Sequence, residues 1–218
     1  AETGPCAPDT EIFYWRSTEP VPEKFDTNDE RWVEIWNNVF MQYEKHADGT
    51  FTPLQQKNVD TGMGVERTTA ILEGVNDNYQ SSIWKPIISK IEELSGMEYT
   101  GEAIRPMRII ADHIRAIVMI SGDEARIYPS NKDQGYILRR LIRRMIRYAR
   151  DLNMDMNSDF DQILAKMIIE DYKKYYPELE DNQSHILEVL ASEKKKFSRT
   201  LEKGLREFEK IIRTLNDN

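Results

Sequence analysis

VDTGMGVER, residues 59–67, sets two glycines two apart, then an acid and a base, then the apolar-rich run TTAIL. Upstream, RWVEIWNNVFMQYEKH (31–46) alternates apolar and polar residues over much of its length, as a half-buried strand does. ADGT (47–50) carries a turn signal, so the following FTPLQQ is expected to fold back as a hairpin. Helical periodicity begins at Gly64, with Val65, Thr69, Ile71 and Leu72 toward one side. The stretch is therefore expected to join a strand to a helix with its backbone bared. Gly62 and Gly64 remove side chains where a flat or bulky group must approach the main chain. Glu66 and Arg67 then fall in the first helical turn. An arginine there can stack its planar guanidinium on a base and donate to phosphate. Asp60, just upstream, can hold a substrate ammonium. A plain strand-to-helix turn with a surface ion pair has the same spacing, and short glycine motifs do not choose between the two.

The chain changes character near residue 100. Before it, β-type runs such as EIFYW (11–15) alternate with turn clusters, and TEPVPEKFDTNDE (18–30) reads as a polar loop. SSIWKPIISKIEELSG (81–96) has a Ser start and a Gly stop, with Pro86 in or near its first turn. After residue 100 nearly everything reads as helix: about 105–121, about 133–152, and 158–176 with Ser158 as N-cap and an end before Pro177. A last helix, about 183–215, carries Leu187, Leu190, Phe197, Leu201, Leu205, Phe208, Ile212 and Leu215 at threes and fours. Such a rod could also dimerise.

Composition narrows the function classes. The 218 residues carry a formal net charge of −8, so indiscriminate polyanion binding is disfavoured and any nucleic-acid contact needs a local basic face. One cysteine, Cys6, forbids an internal disulfide and suits a reducing, cytoplasmic setting. No apolar run reaches the roughly 18 residues of a membrane span, and IRAIVMI (114–120) is short and flanked by charge. AETGPC reads like the interior of a longer polypeptide. The histidines at 46, 113 and 185 lack metal-ligand spacing, so no zinc site is expected within the chain.

Two further groups could carry chemistry. Glu34 and Asn37, in EIWNN, both offer oxygen ligands suited to Mg²⁺ or to a polar substrate. Residues three apart face opposite sides of an ideal strand, so a shared site there needs a bulge or twist. An ordinary sheet strand with Trp36 and Phe40 in the core is the alternative. In PSNKDQGYILRRLIRRMIRYAR (129–150), Arg139, Arg140, Arg143, Arg144, Arg147 and Arg150 fall in one helix with no acid between them. At 100° per residue Arg140, Arg143, Arg144 and Arg147 share a side. That is the local footprint of a phosphate backbone, with internal salt bridges as the rival reading.

Five stretches in this order resemble the bacterial-type alanyl-tRNA synthetases: TGPCAPDTEIFY (3–14), VEIWNNVFMQY (33–43), VDTGMGVER (59–67), IADHIRA (111–117) and PSNKDQGYILRRLIRR (129–144). The match is close over roughly the first 150 residues and looser beyond. It implies an α+β class II catalytic fold, here a partial antiparallel sheet with flanking helices (1–100), followed by an all-α tRNA-recognition domain (101–218). It implies alanine–tRNA ligase activity in translation, with ATP, Mg²⁺, alanine and the acceptor stem of tRNA-Ala as cofactors and partners. Under it, Arg67 stacks on adenine and reaches the terminal phosphate, with Gly64 and Glu34 beside the nucleotide. Asp60 pairs with the alanine ammonium, Gly62 floors the pocket, Asn37 touches the substrate and Val39 packs on its methyl group. Glu34 with Asn37 matches the magnesium pair. Asn131 matches the residue that reads the wobble G·U pair, with Arg140, Arg143, Arg144 and Arg147 on tRNA. Asp9 stands where many relatives carry a small or thiol side chain. The family's first two motifs and its editing domain are not in these residues. The chain is thus expected to be a fragment that does not form adenylate alone; a non-catalytic acceptor-stem-binding module is the alternative.

Overall fold

A computed structural model of the chain describes residues 3–216 and divides into two compact units, Ala1–Lys85 and Pro86–Asn218. The division falls earlier than the change in sequence character near residue 100.

The first unit is a four-stranded antiparallel sheet followed by short helices. β1 (Gly4–Cys6) and β2 (Asp9–Trp15) pair with successive parts of one edge of β3 (Trp32–Lys45), while β4 (Phe51–Met63) pairs with the other edge. The hairpin between β3 and β4 turns where ADGT predicts. Gly49 takes φ +84°, a left-handed conformation that favours glycine, and Asp48 accepts hydrogen bonds from the Thr50 amide at 2.9 Å and hydroxyl at 2.7 Å. β4 runs well past FTPLQQ, through Asp60 and Gly62. β3 is irregular in two places, where its register slips against β2 between Trp36 and Glu34 and against β4 between Met41 and Tyr43.

No strand residue is buried. The loop read as polar, 18–30, supplies Phe25, whose ring lies 4.7 Å from Phe13 and 5.4 Å from Trp32. α1 (Val65–Leu72) starts at its Gly64 N-cap, as the periodicity predicts. Its apolar side is not a core face, however: Ala70 is its buried residue, and Val65 and Leu72 stand exposed. With eight residues, the helix has too few apolar positions at threes and fours to make a full stripe.

The second unit is helical and holds nearly all of the buried apolar side chains. It comprises α2 (Lys85–Ser95, with Pro86 in its first turn), α3 (Ile104–Ser121), α4 (Asp133–Asp151), α5 (Phe160–Tyr172), the single turn α6 (Glu178–Asp181) and α7 (Gln183–Asn216). Ile110, Ile114 and Ile117 of α3, Leu138, Ile142 and Met145 of α4, and Phe160 and Leu164 of α5 are sealed from solvent. Ile186 and Leu190 of α7 join them, so the first part of the rod is spent on this core. Phe208 and Ile212 further along it are exposed, and the side chains of Leu205 and Leu215 lie outside the described residues.

α5 corrects one expectation. Ser158 is not its N-cap: the helix begins at Phe160 after Asp159, without a side-chain cap, and the Ser158 hydroxyl instead donates to the Asp155 carbonyl at 2.7 Å. A serine can satisfy its hydroxyl locally in a turn, so position alone does not make it a cap. The helix also stops at Tyr172 rather than 176. The last residues turn back, with the Tyr175 and Tyr176 amides both on the Tyr172 carbonyl, because Pro177 disfavours helical backbone in the residue before it.

Ile142 touches no solvent, so Ile142→Ala should destabilise the helical unit by about 2–5 kcal/mol. Urea unfolding followed by circular dichroism should show it as a lower midpoint with an unchanged slope.

Candidate nucleotide, amino-acid and nucleic-acid sites

Strand register decides which side chains of the sheet can act together. Glu11 pairs with Asn37 and Asn37 with Gly62, making one row across three strands. Asp9 pairs with Val39 and Val39 with Asp60, making the next row. Directly opposed residues share a face, and so do residues two apart on one strand. Asp9, Glu11, Asn37, Val39, Asp60 and Gly62 therefore form one patch. Asn37 Nδ2 donates to Asp9 Oδ2 and Glu11 Oε1, each at 3.2 Å, which ties the two rows together on the β2 side.

Glu34 reaches the same face because of the register slip. Ile12 pairs with Trp36 but Phe13 pairs with Glu34, so β3 carries one extra residue between them. Such a bulge resets the alternation. Phe13 lies on the Asp9–Glu11 side of β2, and Glu34 opposite it joins Asn37 although three residues separate them. Arg67, in the first turn of α1, comes to the same end of the patch. Its Nη1 donates to the Glu34 carbonyl at 3.0 Å and to Glu34 Oε2 at 3.4 Å. Arg67 is thus paired with Glu34 across 33 residues, with the two side chains 49% and 36% exposed.

The glycines differ in what they do. A Cβ on Gly64 would come within 3.3 Å of Arg67 Cδ, so this glycine lets the arginine fold back beside the backbone. At Gly62 a Cβ would meet nothing within 4 Å, and its φ lies outside the left-handed region. Neither backbone nor neighbours require a glycine at 62. Asp60 is exposed and, among the described residues, its carboxylate has no side-chain partner.

The opposite face of the sheet carries Ile12, Trp36, Phe40, Val59 and Met63, all at least 36% exposed. Trp36 and Phe40, the candidate core residues of a plain strand, are on this open apolar side. Trp36 Nε1 donates to Thr61 Oγ1 at 2.5 Å.

In the helical unit, the loop before α4 holds Asn131. The Ser130 amide donates to the Gly135 carbonyl at 2.9 Å, and Ser130 Oγ receives the Lys132 amide at 3.1 Å. Gly135 is required there: a Cβ would stand 2.5 Å from both Ser130 Oγ and the Tyr128 carbonyl. Asn131 is exposed, and Arg139 Nη1 donates to its Oδ1.

The arginines of α4 divide into two sets. Arg140, Arg144 and Arg147 are exposed, with Arg140 5.6 Å from the Tyr136 ring and Arg144 and Arg147 5.9 and 5.7 Å from the Tyr148 ring. Arg143 turns inward: its Nε donates to Glu193 Oε1 at 2.7 Å and its guanidinium lies 5.3 Å from the Phe197 ring. Internal pairing thus accounts for Arg143, while Arg140, Arg144 and Arg147 stay open on the surface. Beside Arg144 on α3, Asp112 accepts a hydrogen bond from His113 Nδ1 at 3.0 Å. That bond holds its carboxyl below the ordinary carboxylate range, with Arg115 and Arg144 acting in the same direction and burial opposing.

Register and the partners of Arg143 were beyond sequence reading. Asp9 and Glu11 enter the patch only through β2–β3 pairing, and Glu193 meets Arg143 across 50 residues. Among the described residues no group of three or more His, Cys, Asp or Glu side chains is placed to hold a metal ion, and no helix is long and apolar enough to cross a membrane.

The family model for tRNA synthetases class II (A) matches residues 1–218. The chain belongs to the class II (A) tRNA synthetases. Within this family the chain is similar to the alanine–tRNA ligase of Treponema pallidum (strain Nichols), 45% identical over 215 residues, covering 97% of this chain and 35% of that protein. It is 45% identical over 218 residues to the alanine–tRNA ligase of Borrelia hermsii (strain HS1 / DAH), covering 98% and 36%. Identity to the Listeria innocua alanine–tRNA ligase is 39% over 222 residues, covering 98% and 25%. This synthetase chain thus spans 25–36% of the length of these relatives.

The depressed Asp112 carboxyl contributes stability that is present above the unfolded-state pKa of about 3.9 and is lost as pH falls through its lower folded value. Asp112 is half exposed, so Asp112→Asn should cost less than about 1 kcal/mol at pH 7. The difference from wild type should vanish in urea melts near pH 2.

Proposed function

We propose that the chain is part of an alanine–tRNA ligase, with the sheet unit holding the amino acid and the nucleotide and the helical unit contacting the tRNA acceptor stem. One observation carries this reading: the rows Glu11–Asn37–Gly62 and Asp9–Val39–Asp60 share a face with Glu34 and Arg67 at its end. Relatives named as alanine–tRNA ligases, similar over nearly the whole chain, add to it.

Each role follows from the local chemistry. Asp60 is an exposed carboxylate with no side-chain partner among the described residues, suited to a substrate ammonium. Val39, flanked by Asp9 and Asp60, offers an apolar contact to a methyl group. Gly62 leaves open backbone beside Asn37, and since the fold does not demand a glycine there, close approach of a substrate does. Arg67, at the nucleotide end beside Gly64, can leave Glu34 to stack on a purine and meet phosphate. Glu34 and Asn37 fit a magnesium pair: the bulge puts them on one side, and with Asn37 Nδ2 engaged by carboxylates its Oδ1 would be the atom offered to the ion. Magnesium, when bound there, would offset phosphate charge.

In the reaction so proposed, an alanine carboxylate oxygen attacks the α-phosphorus of ATP, the bond to the leaving pyrophosphate breaks, and alanyl-adenylate forms. A terminal hydroxyl of the tRNA then attacks the alanyl carbonyl, loses its proton and releases AMP. This chain's residues contribute positioning rather than proton transfer. Loss of one methyl is worth only about 1–3 kcal/mol, so glycine is discriminated against weakly on this sheet alone. The open apolar face with Trp36, Phe40 and Met63 supports a further part of the synthetase covering it.

In a full-length synthetase containing this chain, Asp60→Asn should raise the KM for alanine at least tenfold in ATP–pyrophosphate exchange, with the KM for ATP little changed. An unchanged alanine KM sinks the assignment. Residues 1–218 alone should show no exchange above background.

The exposed arginines favour a second reading, a non-catalytic acceptor-stem-binding module. Arg140→Ala with Arg144→Ala should weaken binding of an acceptor-stem duplex and flatten the plot of log K against log salt by about one to two units. The second reading alone is right if RNA binding shows this response while Asp60→Asn leaves the alanine KM unmoved.

A further inference from the structure

Glu193 on α7 is a carboxylate with a side chain only 3% exposed. A buried charge is tolerated when it is paired and hydrogen-bonded. Arg143 Nε donates to its Oε1 at 2.7 Å, and Arg139 Nε lies 3.9 Å from the same oxygen. Arg139 Nε is itself buried without a hydrogen bond, so this ion pair is what faces it. The other end of Arg139 reaches the loop before α4, where Nη1 donates to Asn131 Oδ1 and Nη2 to the Pro129 carbonyl at 3.4 Å. A small hollow of about 70 Å³, lined by Tyr128, Pro129, Glu193 and Lys196 among others, lies beside the carboxylate. The loop also meets α7 at Tyr128, whose ring lies 4.4 Å from that of His185, and at the Ile127 carbonyl, 3.3 Å from His185 Nε2, while the polar chain through Arg139 is what reaches the Asn131 side chain.

We infer that Glu193 is a positioning residue for acceptor-stem recognition: through Arg139 it fixes the side chain of Asn131. This rests on the proposal that Asn131 contacts the stem. With its Oδ1 engaged, Asn131 presents Nδ2 as a hydrogen-bond donor, the atom suited to an acceptor on a base-pair edge. The orientation matters because an amide turned over would offer an oxygen instead. Arg140, Arg144 and Arg147, which do not touch Glu193, would supply the sequence-independent phosphate contacts. Losing Glu193 should then cost discrimination rather than general affinity.

Glu193→Gln keeps the volume and an acceptor oxygen but removes the charge that holds Arg139. In the free chain, amide exchange at Ser130 should accelerate at least tenfold relative to α3 core amides, and the Asn131 side-chain amide resonances should shift. On acceptor-stem duplexes, preference for a G·U over a G·C pair should fall at least threefold with the salt dependence unchanged. A folded Glu193→Gln chain with wild-type loop exchange and Asn131 resonances would overturn the inference. So would unchanged base-pair preference where Asn131→Ala abolishes it. Should Asn131→Ala leave the preference intact, the stem reading itself fails, and loop exchange still decides whether Glu193 tethers Asn131. If Glu193→Gln does not fold, Arg139→Lys serves: the Glu193–Arg143 pair stays, and an unmoved loop in that variant overturns the inference.

Discussion

The pairing register of β3 is the constraint on which the sheet unit depends. This strand is hydrogen-bonded to all three others, and the side chains that can meet a ligand are chosen by which residues lie opposite one another along it. A slip of one position would send Asn37 and Val39 to the apolar side and bring Trp36 and Asn38 to the polar one. The extra residue between Trp36 and Glu34 is the single permitted break in alternation at this end of the strand. It does local work, because without it Glu34 would face away from Asn37 and Arg67 would have no carboxylate to lean on.

In the helical unit, a helix rich in one kind of charge serves two purposes at once. Six arginines on α4 cannot all face one direction at 100° per residue, and the core takes advantage of that. Arg139 and Arg143 satisfy a buried carboxylate on α7, while Arg140, Arg144 and Arg147 remain in solvent beside tyrosine rings. Internal pairing joins α4 to α7 near the loop, and the outward set keeps its charge in solvent. The acid on α3 beside this stripe, Asp112, accepts a hydrogen bond from His113 and is drawn on by Arg144 as well, so it stays ionised next to the outward set.

Much of this was legible in the sequence, for identifiable reasons. Local signals were reliable where the physics is local: the Asp48–Gly49 turn, the helix start at Gly64, and the long periodicity of α3, α4 and α7. The need for a bulge between Glu34 and Asn37 followed from strand geometry. What stayed hidden depends on distant parts of the chain. Asp9 and Glu11 reach the patch only through pairing, Arg143 finds Glu193 across 50 residues, and nothing in the alternation of β3 says which apolar residues would be left open. Ser158 shows the converse failure, a local signal captured by a competing turn.

Gly135 has a consequence for anyone who would redesign this surface. Because the carbonyl of Tyr128 and the hydroxyl of Ser130 occupy the space a methyl would need, the path of the main chain through this hook admits no alternative residue. Asn131, by contrast, is exposed, with Arg139 donating to its side chain. Frame and exposed side chain are therefore separable: substitutions at position 131 and at the solvent arginines change the chemistry this surface offers on an intact frame, whereas substitution of Gly135 displaces the main chain itself.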